Sequence, residues 1–499
     1  MKNNVNEIRE IISNQEKQFD SNIQETTIIL AAGHGKRIKS HTSKMLHKIW
    51  EKPTVERVFE ASKNGLVNVN SIIVVGIKAE NVINAIGKKP NTLFAFQEEQ
   101  NGTGHAVQVA LKQIDENYDG IIYILPGDMG LIDRETIANF KANFIKSEAD
   151  MMVLTGLYDG DPQNNSYGRI VRVKNKDTSG NWSGEERGKV IEIIEHKDIL
   201  SLNNDVPYIT NFKGKEYSFT KEELIKNNEF NSGVYAVKYN KMKELINRLD
   251  SNNVQGEIYI TDLISVFNSS GLTVRAVPPR EQHVLMGFNN KSVLLQMENI
   301  ARDIVYDKLK DIVAFEDPYD FFIHEDVVES IIEMDKKGQP LDITIGKGAY
   351  LGQNAKVNYN LTLMKNTNVR GNVEFGKNVT ISENVHLSTH KNQILKLGNN
   401  VEILWGDLIK GNIIIGDNSR IESSVNMTGS DDFPLRIGKN VTIKGTSYLF
   451  GSVVEDDVFI EHSIFIKKKI EKFEMKNGDV KKIRFYLPMP EGIDTISDL

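Results

Sequence analysis

The chain of 499 residues contains no cysteine, which excludes disulfide bridges, thiolate zinc sites and a cysteine nucleophile. It also lacks any apolar run long enough to cross a bilayer, and its first residues carry no signal-peptide core. An excess of basic residues is missing too, because the net charge is −7. These absences predict a cytoplasmic protein that binds neither a membrane nor a nucleic acid.

A chain of this length exceeds one ordinary hydrophobic core, so we expect two or three domains. Residues 1–25 are predicted to form an N-terminal helical extension, since Val5, Ile8 and Ile12 recur at helical spacing. Such a helix either packs on the domain that follows or serves as an arm that binds a partner.

Residues 26–288 alternate between short apolar runs and helical segments. Continuous apolar strands separated by helices are typical of a Rossmann-like, mainly parallel α/β sheet that is covered on both faces. Ligands of such sheets bind at the carboxyl ends of the strands. The predicted strands are 26–32, 71–76, 120–128, 150–157 and 272–277.

The second half of the chain has a different pattern. A long helix within 289–325 is predicted to link the two halves. Beyond it, a short motif of an apolar residue, a glycine and a turn residue recurs; each copy of this repeated phrase is named below by its first residue. The copies at Leu397 and Ile415 are 18 residues apart, which is one coil of a three-sided parallel β-helix. We predict a left-handed β-helix over 326–466 and a C-terminal tail over 467–499. Further copies begin at Ile345, Phe375, Ile437 and Val454.

The strongest functional signal is a glycine-rich loop directly after the first predicted strand. The run from Leu30 to Arg37 reads LAAGHGKR, and Lys44 follows seven residues later. Gly33 and Gly35 let backbone N–H groups approach a triphosphate closely. Arg37 and Lys44 supply positive charge where negative charge develops on the transferring phosphates. The spacing is not that of a Walker loop.

Further segments follow this loop in a fixed order. They are QEEQNGTGHA from Gln97, PGD from Pro126, YGRI from Tyr167, EHKD from Glu195, NSG from Asn231 and GFNN from Gly287. Together with the loop they resemble the sugar-nucleotide pyrophosphorylase family, in particular the uridylyltransferase domains of bifunctional enzymes that make UDP-N-acetylglucosamine. The resemblance extends through almost all of 26–320.

The resemblance implies roles for individual residues. It makes Arg37 and Lys44 catalytic and Asp128 and Asn289 the ligands of a Mg²⁺ ion. A lone aspartate after a strand more often caps a turn, and Asn289 or Asn290 is also placed to cap the long helix. An amide such as that of Gln97 offers both a donor and an acceptor to the imide edge of uracil. The implied nucleotide-binding residues are Leu30, Ala31, Ala32, Gly33, Gln97, Gly102 and Thr103, and the implied sugar-binding residues are Gly127, Gly168, Glu195 and Asn231.

The implied reaction joins UTP and N-acetylglucosamine 1-phosphate to give UDP-N-acetylglucosamine and pyrophosphate. The stretches on either side of Glu195 are longer than in the bifunctional enzymes, and Ser43 replaces a usual proline. The alternatives are therefore another hexose 1-phosphate, dTTP, or a scaffold protein that binds sugar nucleotides without turnover.

The second half lacks the family's N-Y-D-G acetyltransferase segment, so we expect no acetyl transfer, although a bifunctional enzyme with a divergent acetyltransferase stays an alternative. The resemblance implies a homotrimer formed through the β-helix.

Overall fold

The computed structural model describes residues 2–15, 19–33, 35, 38–76, 78–476 and 478–485. Arg37 lies outside the described residues, as does the predicted tail beyond residue 485. The chain divides into two compact units, Met1–Met297 and Glu298–Leu499. Within the described part of the chain, no helix has the length and apolar character needed to cross a membrane.

The N-terminal unit alternates helices and strands. Its strands are β1 (Glu25–Leu30), β2 (Lys48–Ile49), β3 (Lys52–Pro53), β4 (Asn70–Val75), β5 (Thr92–Phe96), β6 (Ile121–Pro126), β7 (Met151–Leu157), β8 (Arg169–Arg172), β9 (Val190–Ile194), β10 (Tyr208–Phe212), β11 (Lys215–Phe219), β12 (Glu229–Lys238) and β13 (Val274–Val277). Its helices are α1 (Lys2–Gln15), α2 (Thr54–Leu66), α3 (Ala79–Ile86), α4 (Thr103–Leu111), α5 (Arg134–Ser147), α6 (His196–Ser201), α7 (Lys221–Lys226), α8 (Tyr239–Leu245) and α9 (Leu263–Ser269), and α10 (Lys291–Leu309) follows.

The central sheet has the strand order β13-β7-β12-β6-β1-β4-β5. Strands β6, β1, β4 and β5 are mutually parallel, whereas β12 runs antiparallel to both of its neighbours. The predicted mainly parallel α/β fold is therefore confirmed. Alternate residues of each strand enter separate cores, as Ile28 and Ile29 do, so helices cover both faces.

Strand β12 is the main element that the sequence pattern did not predict. Its register shifts between Asn231 and Val234, and Gly233 there has a φ of 84°. The Asn-Ser-Gly run looks like a turn, but it forms a bulge inside a strand, and bulges often lie beside functional sites.

The N-terminal helix α1 packs on the domain that follows. Ile8 and Ile12 are 4% and 6% exposed and belong to the same core as Phe94 of β5. Of the two roles considered for this helix, the structure shows the packed one.

The long stretches around Glu195 fold into a small accessory layer with its own apolar core. Hairpin β8-β9 joins the main sheet at β12, and β10-β11 form a separate hairpin. The core is built from residues such as Val171, Ile199 and Tyr217, all close to fully buried.

The C-terminal unit consists of short parallel strands. After α10 come β14 (Val313–Phe315), β15 (Phe321–Ile323), α11 (Glu325–Asp335), β16 (Ile343–Ile345), β17 (Ala349–Leu351), β18 (Leu361–Leu363), β19 (Asn368–Arg370), β20 (Val373–Glu374), β21 (Val379–Ile381), β22 (His386–Ser388), β23 (Leu395–Leu397), β24 (Glu402–Ile403), β25 (Leu408–Gly411), β26 (Ile413–Ile415), β27 (Arg420–Ile421), β28 (Asn426–Gly429), β29 (Leu435–Ile437), β30 (Thr442–Lys444), β31 (Tyr448–Phe450), β32 (Val453–Val454), β33 (Phe459–Glu461), β34 (Ile464–Ile466) and β35 (Lys469–Ile470).

These strands form three parallel sheets of eight, eight and six strands, and consecutive strands fall in different sheets. This is the architecture of a β-helix, as predicted, whereas its handedness stays a prediction. The repeated phrases from Phe375 onward begin at the carboxyl ends of third-sheet strands, but the one at Ile345 begins at the end of a first-sheet strand. That difference explains why the first interval of the repeat is irregular.

Asparagine side chains hold successive coils together at one turn. Amide nitrogen donates to amide oxygen from Asn378 to Asn400 at 2.7 Å, from Asn400 to Asn418 at 2.8 Å and from Asn418 to Asn440 at 3.1 Å. Each residue of this asparagine ladder has a φ near +55°, a backbone conformation that asparagine tolerates better than most residues. Asp457 accepts the last bond.

The segment between the two halves differs from the prediction of a linker over 289–325. Helix α10 ends at Leu309, and β14 and β15 already pair with β16 and β17 of the β-helix. The β-helix also continues past 466, since β35 pairs with β32. The coils at both ends lack the repeated phrase, so the pattern placed the boundaries too far inward.

Candidate active site

Three of the predicted site residues follow parallel strands of the central sheet. Gly33 follows β1, Gln97 follows β5 and Gly127 follows β6, and these strands are parallel. Their carboxyl ends therefore lie side by side. The backbone connects them directly, because Gly127 N–H donates to Leu30 and Ala31 N–H donates to Val74.

The glycine-rich loop brings Lys44 against its own backbone. Gly35 has a φ of +61°, and a Cβ placed there would lie 2.7 Å from Lys44 Cβ. Only glycine fits both requirements without strain. Among the described residues, a Cβ at Gly33 would come within 4 Å of one atom only, the terminal methyl of Met45 at 3.7 Å. Ser43 has a φ of −56°, close to the value that proline imposes.

Lys44, Asp128 and Asn289 form one polar cluster. The Lys44 Nζ atom lies 2.5 Å from Asp128 Oδ2 and donates to Asn289 Oδ1 at 3.0 Å. The Lys44 and Asp128 side chains are 13% and 16% exposed, so the pair is largely shielded from water. Asn289 lies 245 residues from Lys44 in the chain, and the fold brings both to the same point.

Asn289 and Asn290 have separate roles. Asn290 Oδ1 accepts a hydrogen bond from the Val293 N–H at 2.9 Å, and its carbonyl accepts from Leu294, which is N-cap geometry for α10. Asn289 Oδ1 faces Lys44 instead. The capping role left open for these two residues therefore belongs to Asn290.

Two residues without a predicted role shape this cluster. A Cβ at Gly287 would lie 3.0 Å from Asp128 Oδ2, so a side chain there would push against the carboxylate. The Tyr167 hydroxyl forms a hydrogen bond with the Gly287 backbone, and burial followed by the Asp128 charge raises the pKa of Tyr167. Its ring stacks on Phe230 at 4.5 Å. Tyr167 and Gly287 both lie in sequence motifs on which the family resemblance rests, and this position in the motifs is the signal by which they could have been found.

A cavity of about 970 Å³ opens beside the cluster. Its lining includes Tyr167, Phe230, Gly287 and Asn289. Its lining extends from Asn289 to Asn164 and Ser166 in the loop before β8.

The predicted sugar-binding residues are neighbours in space: Gly168 directly precedes β8, Glu195 directly follows β9 and Asn231 lies in β12. Asn231 N–H donates to Gly168 at 2.9 Å, and a Cβ at Gly168 would lie 3.1 Å from Glu195 Oε1. Asn231 Oδ1 already accepts from the Gly233 N–H and the Tyr235 hydroxyl. Its amide nitrogen has no hydrogen-bond partner among the described residues, so it can donate to a ligand.

Glu195 has an unusual acidity for a carboxylate. Burial, and then the nearby charges of Asp198 and Asp262, raise its pKa to about 7. Burial, and then the charges of Asp250, Asp198 and Glu192, raise the pKa of Asp262 to about 6. The charge of the carboxyl groups on the sugar side of the site therefore changes with pH near neutrality.

The predicted base-binding loop is held by the segment 257–260. Gly104 N–H donates to Ile258, Ile258 N–H donates to Asn101, and Ile260 N–H donates to the Thr103 hydroxyl. Gly102 has a φ of +106°, and a Cβ there would lie 2.4 Å from Ile258 O. The loop therefore has little freedom of its own.

Gln97 is 3% exposed, and its amide nitrogen contacts Gly102 O at 3.1 Å and His105 Nδ1 at 3.2 Å. Of the donor and the acceptor expected at the base edge, the donor is thus already engaged. Gln100 donates to Ala32 O, which ties the base loop to the glycine-rich loop.

The predicted Mg²⁺ site has only two protein ligands, Asp128 and Asn289. Across the described ranges, no group of three or more histidine, aspartate or glutamate side chains is placed to hold a metal ion. The Asp128 carboxylate and the Asn289 amide oxygen nevertheless converge on one ammonium group. Two oxygen ligands, completed by phosphate and water, suit Mg²⁺.

Comparisons with known proteins agree with this geometry. Residues 27–165 match the model of the MobA-like NTP transferase domain, which spans the glycine-rich loop, the base loop and Asp128. Residues 27–165 are therefore similar to nucleotidyltransferase domains.

Individual similar proteins identify a narrower group than the family model does. The chain is 35% identical to the bifunctional protein GlmU of Acetivibrio thermocellus over 301 residues, which are 60% of this chain and 57% of that protein. The GlmU of Clostridium novyi is 34% identical over 64% of this chain and 61% of its own length. The chain thus spans less than two thirds of the relatives that it matches. The resemblance to the sugar-nucleotide pyrophosphorylases is confirmed for the N-terminal part of the chain.

Proposed function

We propose that the N-terminal unit is a magnesium-dependent UDP-N-acetylglucosamine pyrophosphorylase. It joins UTP to N-acetylglucosamine 1-phosphate and releases pyrophosphate. The observation that carries the proposal is the convergence of Asp128 and Asn289 oxygens on Lys44 Nζ beside the glycine-rich loop. A protein that merely bound sugar nucleotides would not need a shielded cluster of this kind next to a phosphate-binding backbone.

Asp128 and Asn289 would hold the magnesium ion. When bound, the ion supplies positive charge that offsets the charge of the triphosphate. The ammonium of Lys44 contacts the same two oxygens, at 2.5 and 3.0 Å, which supports the proposal that both face one cation.

The chain's own residues position two anions and neutralise charge. A phosphate oxygen of the sugar 1-phosphate forms a bond to the α-phosphorus of UTP, and the bond from that phosphorus to the β-phosphate oxygen breaks. The nucleophile is already ionised at neutral pH, so no general base is needed. Lys44, together with Arg37 from the resemblance, would stabilise charge on the departing pyrophosphate.

The sugar would bind between β8, β9 and β12. The Asn231 amide nitrogen is an available donor, and the Glu195 carboxylate accepts hydrogen bonds when it is ionised. Gly168 leaves room next to Glu195 because a side chain there would touch that carboxylate.

A second candidate keeps the chemistry and changes the substrate to another hexose 1-phosphate, or UTP to dTTP. The accessory layer favours it, since this layer has its own core and lies directly beside Glu195. This layer is formed by the stretches on either side of Glu195, which look longer than in the bifunctional enzymes.

For the β-helix we propose assembly into a homotrimer without acetyl transfer. The similarity to GlmU covers the N-terminal 60% of the chain, so it lends the β-helix no catalytic role. Sedimentation of the full chain as a monomer would contradict the assembly. Acetylation of glucosamine 1-phosphate would contradict the loss of that activity.

The proposed function is tested by pyrophosphate release from a panel of nucleoside triphosphates and sugar 1-phosphates, with and without Mg²⁺. We expect strict dependence on Mg²⁺ and the highest rate with UTP and N-acetylglucosamine 1-phosphate. Asp128→Ala should lower kcat by about a hundredfold or more. Asp133→Ala is a matched control, because this aspartate caps α5 through Thr136 and does not belong to the cluster. Full activity of Asp128→Ala, or none from the wild type with any pair, would refute the proposal.

A further inference from the structure

The Gln97 side chain has an orientation that its neighbours determine. Its amide nitrogen lies 3.1 Å from Gly102 O, and a backbone carbonyl can only accept a hydrogen bond. The nitrogen rather than the oxygen must therefore face Gly102. The same nitrogen lies 3.2 Å from His105 Nδ1.

His105 must accept the second amide proton. A neutral imidazole has one donor and one acceptor nitrogen, so the imidazole proton then resides on Nε2. Both N–H groups of Gln97 are thus engaged inside the protein. Its carbonyl oxygen Oε1 has no hydrogen-bond partner in the described part of the chain.

We propose that His105 is a positioning residue that fixes the Gln97 amide so that only its carbonyl oxygen meets the nucleotide base. The site then selects nucleoside triphosphates whose base has an N–H group at position 3, which are those of uracil and thymine. The inference rests on the proposed function and adds the residue that sets the base preference.

The chemistry of the bases gives the direction of this preference. Uracil and thymine donate a hydrogen bond from N3, whereas N3 of cytosine is an acceptor. An acceptor held against an acceptor leaves two lone pairs facing each other and both groups without a partner. A site built to receive a donor therefore rejects the analogue that lacks it.

The surroundings of His105 make it accessible to mutation. It lies at the start of α4 and lines a cavity of about 610 Å³ whose other walls include Arg9, Lys112 and Gln113. The backbone of the loop is fixed independently by its bonds to Ile258 and Ile260. A substitution at position 105 can thus change the partner of Gln97 without moving the loop.

Two nearly isosteric substitutions separate the hydrogen bond from packing. In His105→Asn the side-chain oxygen can replace Nδ1 as an acceptor. In His105→Leu the leucine side chain has nearly the same shape as that asparagine but offers no acceptor. In the leucine variant one amide proton of Gln97 loses its partner, so the amide is no longer held in one orientation. Gln113→Leu controls for the loss of a polar group from the same cavity.

The experiment measures kcat/KM for UTP and for CTP with the full chain and saturating sugar 1-phosphate. We expect the wild type, His105→Asn and Gln113→Leu to prefer UTP strongly. His105→Leu should lose about tenfold or more of the UTP to CTP ratio. Thermal unfolding of each variant establishes that the loss is not one of folding, and equilibrium binding of UTP and CTP replaces turnover for a variant with low activity.

Each outcome decides between the two proposals. An unchanged UTP to CTP ratio in a folded His105→Leu variant, or equal losses in the leucine and asparagine variants, would overturn the role of His105 and leave the proposed function intact. A wild type that prefers CTP would also overturn it. A wild type that releases no pyrophosphate and binds neither nucleotide would refute both.

Discussion

In the N-terminal unit, polar side chains from distant parts of the chain converge on one point, whereas in the C-terminal unit the same side chain repeats along a row. Lys44 meets Asn289 across 245 residues of the chain. Asn400 meets Asn418 across 18 residues, and the contact recurs coil after coil.

The difference shows two uses of the same chemistry. A convergent contact joins unlike groups, so the replacement of any one residue abolishes the function of the whole cluster. A repeated contact joins like groups, and each member adds an increment of stability to its neighbours. Substitutions should therefore affect catalysis in the first unit and unfolding in the second.

The largest effect is expected from the two adjacent asparagines before α10. Asn289→Ala removes an oxygen from the cluster and should lower kcat for pyrophosphate release by about a hundredfold. Asn290→Ala removes the N-cap and should cost about 1 kcal/mol of stability while kcat stays close to that of the wild type. Steady-state kinetics and thermal unfolding of both variants check the pair. Equal losses of activity would show that Asn289 acts only through the end of the helix.

A smaller effect, on stability alone, is expected within the asparagine ladder. Asn400→Ala removes two ladder bonds and places a Cβ-bearing residue without a polar side chain at a φ of 56°. We expect a loss of about 2 kcal/mol in the unfolding of the C-terminal unit. Asn400→Gly also loses the bonds but tolerates the backbone, so it should lose about 1 kcal/mol less.

Calorimetry of the full chain, with pyrophosphate release as a control, checks this second comparison. Unchanged unfolding in both variants would show that the ladder does not stabilise the coils. A loss of pyrophosphate release would contradict the expectation that substitutions in the C-terminal unit affect stability alone.

The smallest effect is a pH dependence of sugar binding. Because the Glu195 pKa is raised to about 7, the carboxyl is largely protonated below that pH and ionised above it. Only the ionised form accepts bonds from two hydroxyl groups, so KM for the sugar 1-phosphate should fall several-fold as pH rises through about 7. Glu195→Gln should keep only the pH dependence that comes from the phosphate of the substrate. Identical profiles for both proteins would rule out Glu195 as the titrating group.

The repeat predicted the β-helix well because each coil contains its own signal. The glycine and asparagine of phrases such as the one at Ile437 occupy turns with positive φ or close backbone contacts, which few residue types allow. The end coils, β14 and β35, lack these residues and were missed. Parallel strands β1, β4 and β6 were predicted from their continuous apolar character.

The sequence could not predict which polar atoms would already be occupied. The Gln97 donor and the Asn231 acceptor are both engaged by protein groups, and these bonds depend on His105 and Tyr235. Nothing in residue type or spacing distinguishes an engaged amide atom from an available one. The separate roles of Asn289 and Asn290 likewise arise from where α10 begins.

The most direct test of the convergent cluster is a double-mutant cycle on pyrophosphate release with Asp128→Ala and Asn289→Ala. If both oxygens hold one cation, the double variant should be at most about twofold slower than Asp128→Ala alone, since residues that act as a unit are strongly non-additive. If the two losses multiply instead, Asp128 and Asn289 act independently, and the proposed single metal site is contradicted.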